Sequence, residues 1–148
     1  MTYTVRFGLQ AKADRGPIIA RTREEIDAAL DRIIAVAPAF NHNPSAIVVE
    51  RPLFGPLQLP DHGIKIDIDP TCGVAAIAYV GPDFDGSWVT KSDQSRSEAI
   101  LQRDIASETP FPADAAITLA LLRAAVHEFH QTGGRRPTCV GWQSADGW

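Results

Sequence analysis

The residues best suited to chemistry are two histidines, His127 and His130, in a segment with helical periodicity. Imidazole is a common zinc ligand, but the His-Glu-x-x-His motif of zinc enzymes places its histidines at positions i and i+4, and these lie at i and i+3. A metal site would also need a third ligand, from His42 or His62. We therefore predict that both are exposed helix residues near a C-terminal end, where the helix dipole favours a protonated imidazole.

Other catalytic and metal-binding patterns are weak or absent. Asp83, Asp85 and Asp93 could bind calcium, but their spacing does not follow an EF-hand loop. The sequence contains no glycine-rich phosphate loop, no serine nucleophile elbow and no Cys-x-x-Cys pair. We predict a protein that is not an enzyme, holds no metal or cofactor, and acts by binding.

Acidic residues are concentrated in the middle of the chain. The 148 residues include 18 acidic and 14 basic side chains, for a net charge of −4. Residues 61–114 contain ten acids and four bases, a net of −6, and the rest contains eight acids and ten bases, a net of +2. An acidic surface attracts basic partners and repels nucleic acid, so this distribution favours a basic protein as the partner.

A pair of strands over residues 64–80 should position these acids. Isoleucines alternate with Lys65, Asp67 and Asp69, which predicts a half-buried strand with one apolar and one charged face. A turn with proline and glycine follows, and residues 74–80 are apolar on both faces, as in a central strand. We expect Asp67 and Asp69 to form an acidic surface on the charged face.

Two helices flank the predicted strands. The first, over residues 23–36, begins with a capping box headed by Thr22. The second, over residues 119–132, begins after Thr118, and Gly133 follows it as a left-handed cap. The apolar residues of both helices recur every three or four positions, which indicates one buried face on each.

Further short strands are predicted at 2–9, 45–50, 88–90, 98–107 and 138–142, with loops at 54–62 and 81–86. The order of elements favours one α+β domain over residues 1–148, with a mostly antiparallel sheet and the two main helices packed on one face. The N-terminus resembles a strand and not a signal peptide, and no apolar run approaches the roughly 20 residues of a membrane span. We expect a soluble, cytoplasmic protein with two free, mostly buried thiols, Cys72 and Cys139.

All three tryptophans, Trp88, Trp142 and Trp148, lie in the second half of the chain. Trp142 should be partly buried at the end of a strand. Trp148 follows a run of small and polar residues, which leaves two alternatives, a disordered end or an anchor for a partner. Tryptophan is enriched among the residues that dominate protein interfaces.

A set of short motifs gives the sequence a family resemblance. It consists of Val48-Val49-Glu50-Arg51-Pro52, the strand pair at 64–80, Phe111-Pro112 before a helix, and Phe129-x-x-Thr132-Gly133-x-x-Arg136-Pro137-x-x-Val140-x-Trp142. With these motifs the chain resembles the Imm-one class of immunity proteins from bacterial polymorphic toxin systems. The resemblance is clearest from residue 111 to residue 142.

The resemblance implies an α+β immunity protein whose partner is a secreted toxin, typically a nucleic-acid deaminase that holds zinc and acts in a basic cleft. We expect tight binding to one cognate toxin, occlusion of its active-site cleft, and no nucleic-acid or membrane partner. The motif residues Pro137 and Trp142 are expected to be structural.

The candidate toxin-binding residues are Asp67, Asp69, Asp83, Phe84, Asp85, Trp88, Asp146 and Trp148. Two alternatives are a small metal-dependent hydrolase that uses His127 and His130, and a non-catalytic adaptor that pairs through a sheet edge.

Overall fold

The computed structural model describes residues 2–9, 16–82, 84–93 and 98–148. Its strands are β1 (Val5–Gly8), β2 (Ile18–Ala20), β3 (Ser45–Val48), β4 (Leu53–Phe54), β5 (Leu59–Pro60), β6 (Gly63–Asp69), β7 (Val74–Gly81), β8 (Phe84–Lys91), β9 (Gln102–Asp104), β10 (Thr109–Pro110), β11 (Ile117–Thr118) and β12 (Gly141–Ala145). The main sheet has the order β12-β8-β7-β6-β3-β1-β2, and β11 also pairs with β7. Every described pairing is antiparallel, so the predicted α+β class is confirmed.

The helices α1 (Arg23–Val36) and α2 (Leu119–Gln131) pack against each other and against one face of the sheet. Each contributes one buried stripe, because its apolar residues recur at helical spacing. The core that they close contains Ile26, Leu30, Ile33, Leu122, Val126 and Phe129 from the helices and Phe7, Ile64, Ile66, Ile77 and Tyr79 from the strands. Burial of such side chains stabilises the fold by about 1.5–3 kcal/mol each.

The opposite face of β6 and β7 is also covered, by the chain from about residue 98 to residue 116. Leu101 and Phe111 pack there against the alternate residues Val74, Ala76 and Ala78 of β7. Only Gln102–Asp104 of the predicted strand 98–107 forms a strand, and its partner is β10. The predicted strand at 98–107 is therefore wrong over most of its length: this segment lies against the face of the sheet, because side chains of β6 bind its backbone.

Both helix starts match the sequence prediction. The backbone N–H of Glu25 donates to Thr22 Oγ1 at 3.1 Å, and the N–H of Thr22 donates to the Glu25 carboxylate at 3.2 Å. The N–H of Leu121 donates to Thr118 Oγ1 at 3.1 Å. These side chains satisfy helix N–H groups that have no partner within the helix. Among the described helices, none is long and apolar enough to cross a membrane.

The C-terminus of α2 ends in a tight turn of two glycines, as the position of Gly133 predicted. The N–H of Gly133 donates to the His130 carbonyl, and that of Gly134 donates to the Phe129 carbonyl at 2.9 Å. This bonding is a Schellman motif, which places the residue after the cap in the left-handed region. Gly133 has φ +72° and Gly134 has φ +96°, so glycine is favoured at both positions.

The last strand begins later than the predicted 138–142. The N–H groups of Thr138 and Cys139 donate to the Glu128 carboxylate at 2.6 and 3.1 Å, which keeps them out of the sheet ladder. Strand β12 therefore starts at Gly141, where Trp142 lies opposite Thr90. Neither cysteine forms a disulfide, as predicted, but Cys72 is only half-buried and Cys139 is exposed.

We predict that Gly134→Ala destabilises the protein by at least about 2 kcal/mol. A Cβ at this position would lie 2.6 Å from His62 Cδ2 and 3.1 Å from Arg51 Cδ. His62 is buried and cannot move aside easily. Urea unfolding measures the change. Gly16→Ala is the control, because its Cβ would meet no atom within 4 Å, and an equal loss in both variants would contradict the prediction.

Candidate functional site

A short hairpin exposes a cluster of large apolar side chains. Among the strands of the described residues, β4 and β5 pair with each other and stand apart from the main sheet. Leu53, Phe54 and Leu59 are about half exposed, and Leu57 at the tip is 77% exposed. Residues 52–60 include no charged side chain. Clustered exposed apolar groups mark interaction sites, because water leaves them favourably when a partner covers them.

The base of this hairpin is fixed by an ion pair. Arg51 and Asp61 flank the hairpin, and the guanidinium donates two hydrogen bonds of 2.9 Å to the two carboxylate oxygens. Arg51 also donates to the Gly133 carbonyl at 3.3 Å, which links the hairpin to the end of α2. The hydrogen bond from Arg51 holds the pKa of Asp61 below its usual value.

His62 completes this base. Its Nε2 accepts the N–H of Val48 at 2.8 Å, so the neutral ring carries its proton on Nδ1 and donates it to Asp61 at 2.9 Å. Tyr79 donates its hydroxyl to the Gly134 carbonyl nearby, at 3.1 Å. The hairpin thus stands on a rigid, hydrogen-bonded support in the protein body.

The hairpin and Trp148 line one open cavity of about 750 Å³. Leu59 and Pro60 form the hairpin side, and Trp148 lies beside Gly63 and Lys65 of β6. The Lys65 ammonium is 4.7 Å from the centre of a Trp148 ring, within cation–π range. Trp148 is 43% exposed, so part of its side chain lies against the protein and the rest presents surface to solvent. We name Leu53, Phe54, Leu57, Leu59 and Trp148 the hairpin surface.

The sequence predicted only a loop at residues 54–62, so the four hairpin residues of this surface were missed, whereas Trp148 was among the predicted contacts. The available signal was four large apolar residues in a stretch with neither charge nor a helical period. Those residues could not be assigned to a core stripe. An apolar loop of this kind is a candidate for burial against another molecule.

Asp67 and Asp69 do not form the exposed acidic surface that their alternation suggested. They are 7% and 8% exposed. Asp67 accepts the N–H of Gln102 at 2.7 Å, and Asp69 accepts the N–H of Ile100 at 2.8 Å. Asn43 reinforces the same segment, because its amide donates to the Gln102 carbonyl at 2.9 Å. The two carboxylates bind the covering chain to the sheet.

The pKa values of the two carboxylates are shifted in opposite directions. Burial raises the pKa of Asp67 to about 6, although N–H groups of Gln102 and Ile68 act in the opposite direction. The pKa of Asp69 is lowered instead, chiefly by the N–H of Ile100, which overcomes the effect of burial. The difference follows from hydrogen bonding, because Asp69 also accepts N–H groups of the turn after β6.

The two helix histidines are not the exposed pair that was predicted. His127 is 6% exposed, and its Nε2 lies 2.9 Å from a carboxylate oxygen of Asp27 on α1. His130 is half-buried, and its Nε2 lies 2.8 Å from the Tyr3 carbonyl oxygen. Both side chains face the protein. The buried face of α2 is therefore wider than the face that its aliphatic residues define. Within the described ranges, no group of three or more His, Cys, Asp or Glu is arranged to hold a metal ion.

The remaining predicted residues fall in different places. Trp88 and Trp142 flank Arg136, whose guanidinium carbon is 4.7 and 5.9 Å from the two ring centres. The Trp142 indole donates to the Pro137 carbonyl at 2.7 Å, which agrees with the structural role expected for that motif. Asp146 is exposed, two residues from Trp148.

The predicted acidic turn is only partly within the described chain. Asp83 lies outside the described residues. The backbones of Phe84 and Asp85 belong to β8, where Phe84 lies opposite Gly81.

A family model described as immunity protein Imm1 matches residues 14–144, which is most of the chain. No curated protein matches the sequence.

We predict that the free energy of unfolding of the wild type rises by about 2 kcal/mol relative to that of Asp67→Asn when the pH falls from 7 to 4.5. The raised pKa of Asp67 means that the folded state binds a proton at pH values where the unfolded state is ionised. This contribution is full below about pH 4 and is lost as the pH rises through 6. Urea unfolding at several pH values measures it.

Asp69→Asn is the matched control for this titration. The pKa of Asp69 is lowered, so its carboxylate is ionised in the folded and unfolded states throughout pH 4.5–7. The cost of Asp69→Asn should therefore be constant over this range. A constant cost for Asp67→Asn as well would show that Asp67 does not bind a proton in the folded state.

We predict that Asp61→Ala costs about 1–3 kcal/mol of stability and accelerates hydrogen exchange in β4 and β5. The change removes the acceptor for both Arg51 and the buried His62. Asp31→Ala is the control, because Asp31 pairs with Arg123 on an exposed helix surface, where ion pairs contribute little. Unchanged exchange in β4 and β5 would mean that the ion pair does not hold the hairpin.

Proposed function

Because the chain belongs to the Imm1 family of immunity proteins, we propose that it binds one cognate toxin tightly and covers the toxin's active-site cleft. Immunity against a toxin is the general role of the family, and the resemblance found in the sequence motifs is confirmed. Occlusion of the cleft and the chemistry of the toxin are our proposal. The mechanism needs affinity and shape from this chain, and no chemistry.

The observation that carries the proposal is the hairpin surface. A protein that acts by binding must expose apolar side chains that a partner can bury, and such side chains dominate the affinity of protein interfaces. Leu57 and Phe54 are 77% and 56% exposed on a hairpin without charge. Trp148 adds an aromatic residue of the type that anchors interfaces.

We propose that the toxin is a nucleic-acid deaminase. Enzymes of this class bind an extruded or single-stranded base at a zinc site, and their clefts must attract phosphate. Exposed acids of an inhibitor can imitate that phosphate and speed the encounter. The net charge of −4 and the exposed Asp146 beside Trp148 support this pairing.

The acidic part of the contact differs from the arrangement first expected. Asp67 and Asp69 are buried beneath residues 100–102, so we do not include them in the toxin-binding surface. The turn residues Asp83, Phe84 and Asp85, with Trp88 on the same strand, remain proposed contacts. Asp146 and Trp148 are proposed contacts as well, and Trp148 also lines the cavity.

We predict that this chain forms a one-to-one complex with the C-terminal domain of the protein encoded immediately upstream. Co-expression should restore growth to cells that make this domain, and size-exclusion chromatography should show the complex. The isolated domain should deaminate single-stranded DNA or RNA, and an equimolar amount of the chain should abolish the reaction. A domain inactivated by removal of its zinc ligands should still bind, which separates binding from catalysis.

The outcomes distinguish the parts of the proposal. Failure to bind and to restore growth would contradict immunity towards this toxin. A complex that restores growth, with a toxin that deaminates neither nucleic acid, would retain immunity and overturn the deaminase assignment. Deamination that persists within the complex would overturn occlusion of the cleft.

A further inference from the structure

We propose that the hairpin surface and the adjoining cavity receive one segment of the toxin, in which an apolar side chain lies next to a carboxylate. The inference rests on the proposed function and identifies the chemistry of the partner at that site. The apolar group would pack against Leu57, Phe54 and Trp148. The carboxylate would approach Lys65.

The apolar half of this inference follows from how the hairpin is built. Its two strands form a separate sheet within the described part of the chain, so its outer side chains are not needed by the main sheet. Leu53, Phe54, Leu57 and Leu59 are all exposed by about half or more, whereas the comparable side chains of the two cores are buried. Exposed leucine and phenylalanine on an uncharged ribbon favour an apolar partner segment.

The support beneath the hairpin makes it suitable for tight binding. Arg51 and Asp61 close its base with two hydrogen bonds of 2.9 Å, and His62 fixes Asp61 from within the protein. A surface that is ordered before binding loses little conformational freedom on association, and more of the contact energy appears as affinity.

The carboxylate half follows from the charges around the cavity. Its ionisable lining residues are His42, His62 and Lys65, and no acidic residue is among them. Both ring nitrogens of His62 are hydrogen-bonded within the protein, so Lys65 and the exposed His42 remain to meet a partner. A cationic, partly apolar cavity is complementary to an acidic group carried on an apolar segment.

Lys65 is placed to respond to such a group. Burial lowers the pKa of Lys65, and Arg103 adds to this effect, while Asp104 opposes it. A partly desolvated ammonium gains more from a carboxylate than a fully hydrated one does. Its position over the Trp148 ring ties the charged contact to the aromatic one.

The test measures affinity for the C-terminal domain of the upstream-encoded protein by isothermal titration calorimetry. Leu57→Glu should weaken binding by about 100-fold or more, because it replaces the exposed apolar side chain at the hairpin tip with a charge. Trp148→Ala should weaken binding by about tenfold, because it removes an exposed aromatic ring from the cavity wall. Ile100→Glu is the matched control, since Ile100 is 76% exposed, close to the 77% of Leu57, and lies on the covering segment beside Asp69. It should change affinity by less than about threefold.

A second variant tests the charge. Lys65→Met keeps an unbranched side chain against Trp148 and removes the ammonium, so binding should weaken by about tenfold and depend less on salt. Lys91→Met is its control, because Lys91 is exposed at the end of β8 and does not line the cavity. Circular dichroism and urea unfolding of each variant confirm that the fold is retained.

Each outcome has one meaning. If the wild-type chain neither binds nor restores growth, the proposed function is wrong and this inference falls with it. If the wild type binds and both Leu57→Glu and Trp148→Ala keep its affinity, the immunity role is retained. The toxin then does not dock on the hairpin surface. If Lys65→Met alone keeps the wild-type affinity, the toxin segment does not place a carboxylate near Lys65. If the free chain is a dimer that Leu57→Glu makes monomeric, the surface binds a second copy and the inference is overturned.

Discussion

One row of side chains on β6 organises the outer face of the protein. Gly63, Lys65, Asp67 and Asp69 point to the same side because strand residues alternate. Gly63 and Lys65 make room for Trp148 and form the cavity, while Asp67 and Asp69 bind the backbone of the covering segment. The neighbouring row of isoleucines enters the helix-covered core. The register of β6 on β7 therefore determines where the helix-covered core, the covering segment and the candidate site lie.

The charged residues of this row have different roles because their surroundings differ. Asp67 and Asp69 are buried and accept backbone N–H groups, a role that an exposed contact residue could not fill at the same time. Lys65 lies at the margin of the cover, where Trp148 shields one side and the cavity opens on the other. Alternating charges on one strand can thus include both structural residues and proposed binding residues.

The immunity role is consistent with a rigid body that carries a small apolar projection. The Schellman turn at Gly133 and Gly134 supports the base of the hairpin, through the Arg51 contact and the close approach of His62. The motif residues that carry the family resemblance at 129–142 therefore support the hairpin surface without belonging to it.

The sequence by itself determined the α+β class, the antiparallel strand pair, both helix starts at Thr22 and Thr118, and the glycine cap at Gly133, because these depend on local spacing and capping chemistry. The motifs also identified the family. Only the tertiary structure decided that Asp67, Asp69 and His127 are buried and that residues 53–60 form an exposed hairpin. The physical reason is that periodicity reveals which side chains share a face, whereas the segment that covers this face comes from a distant part of the chain.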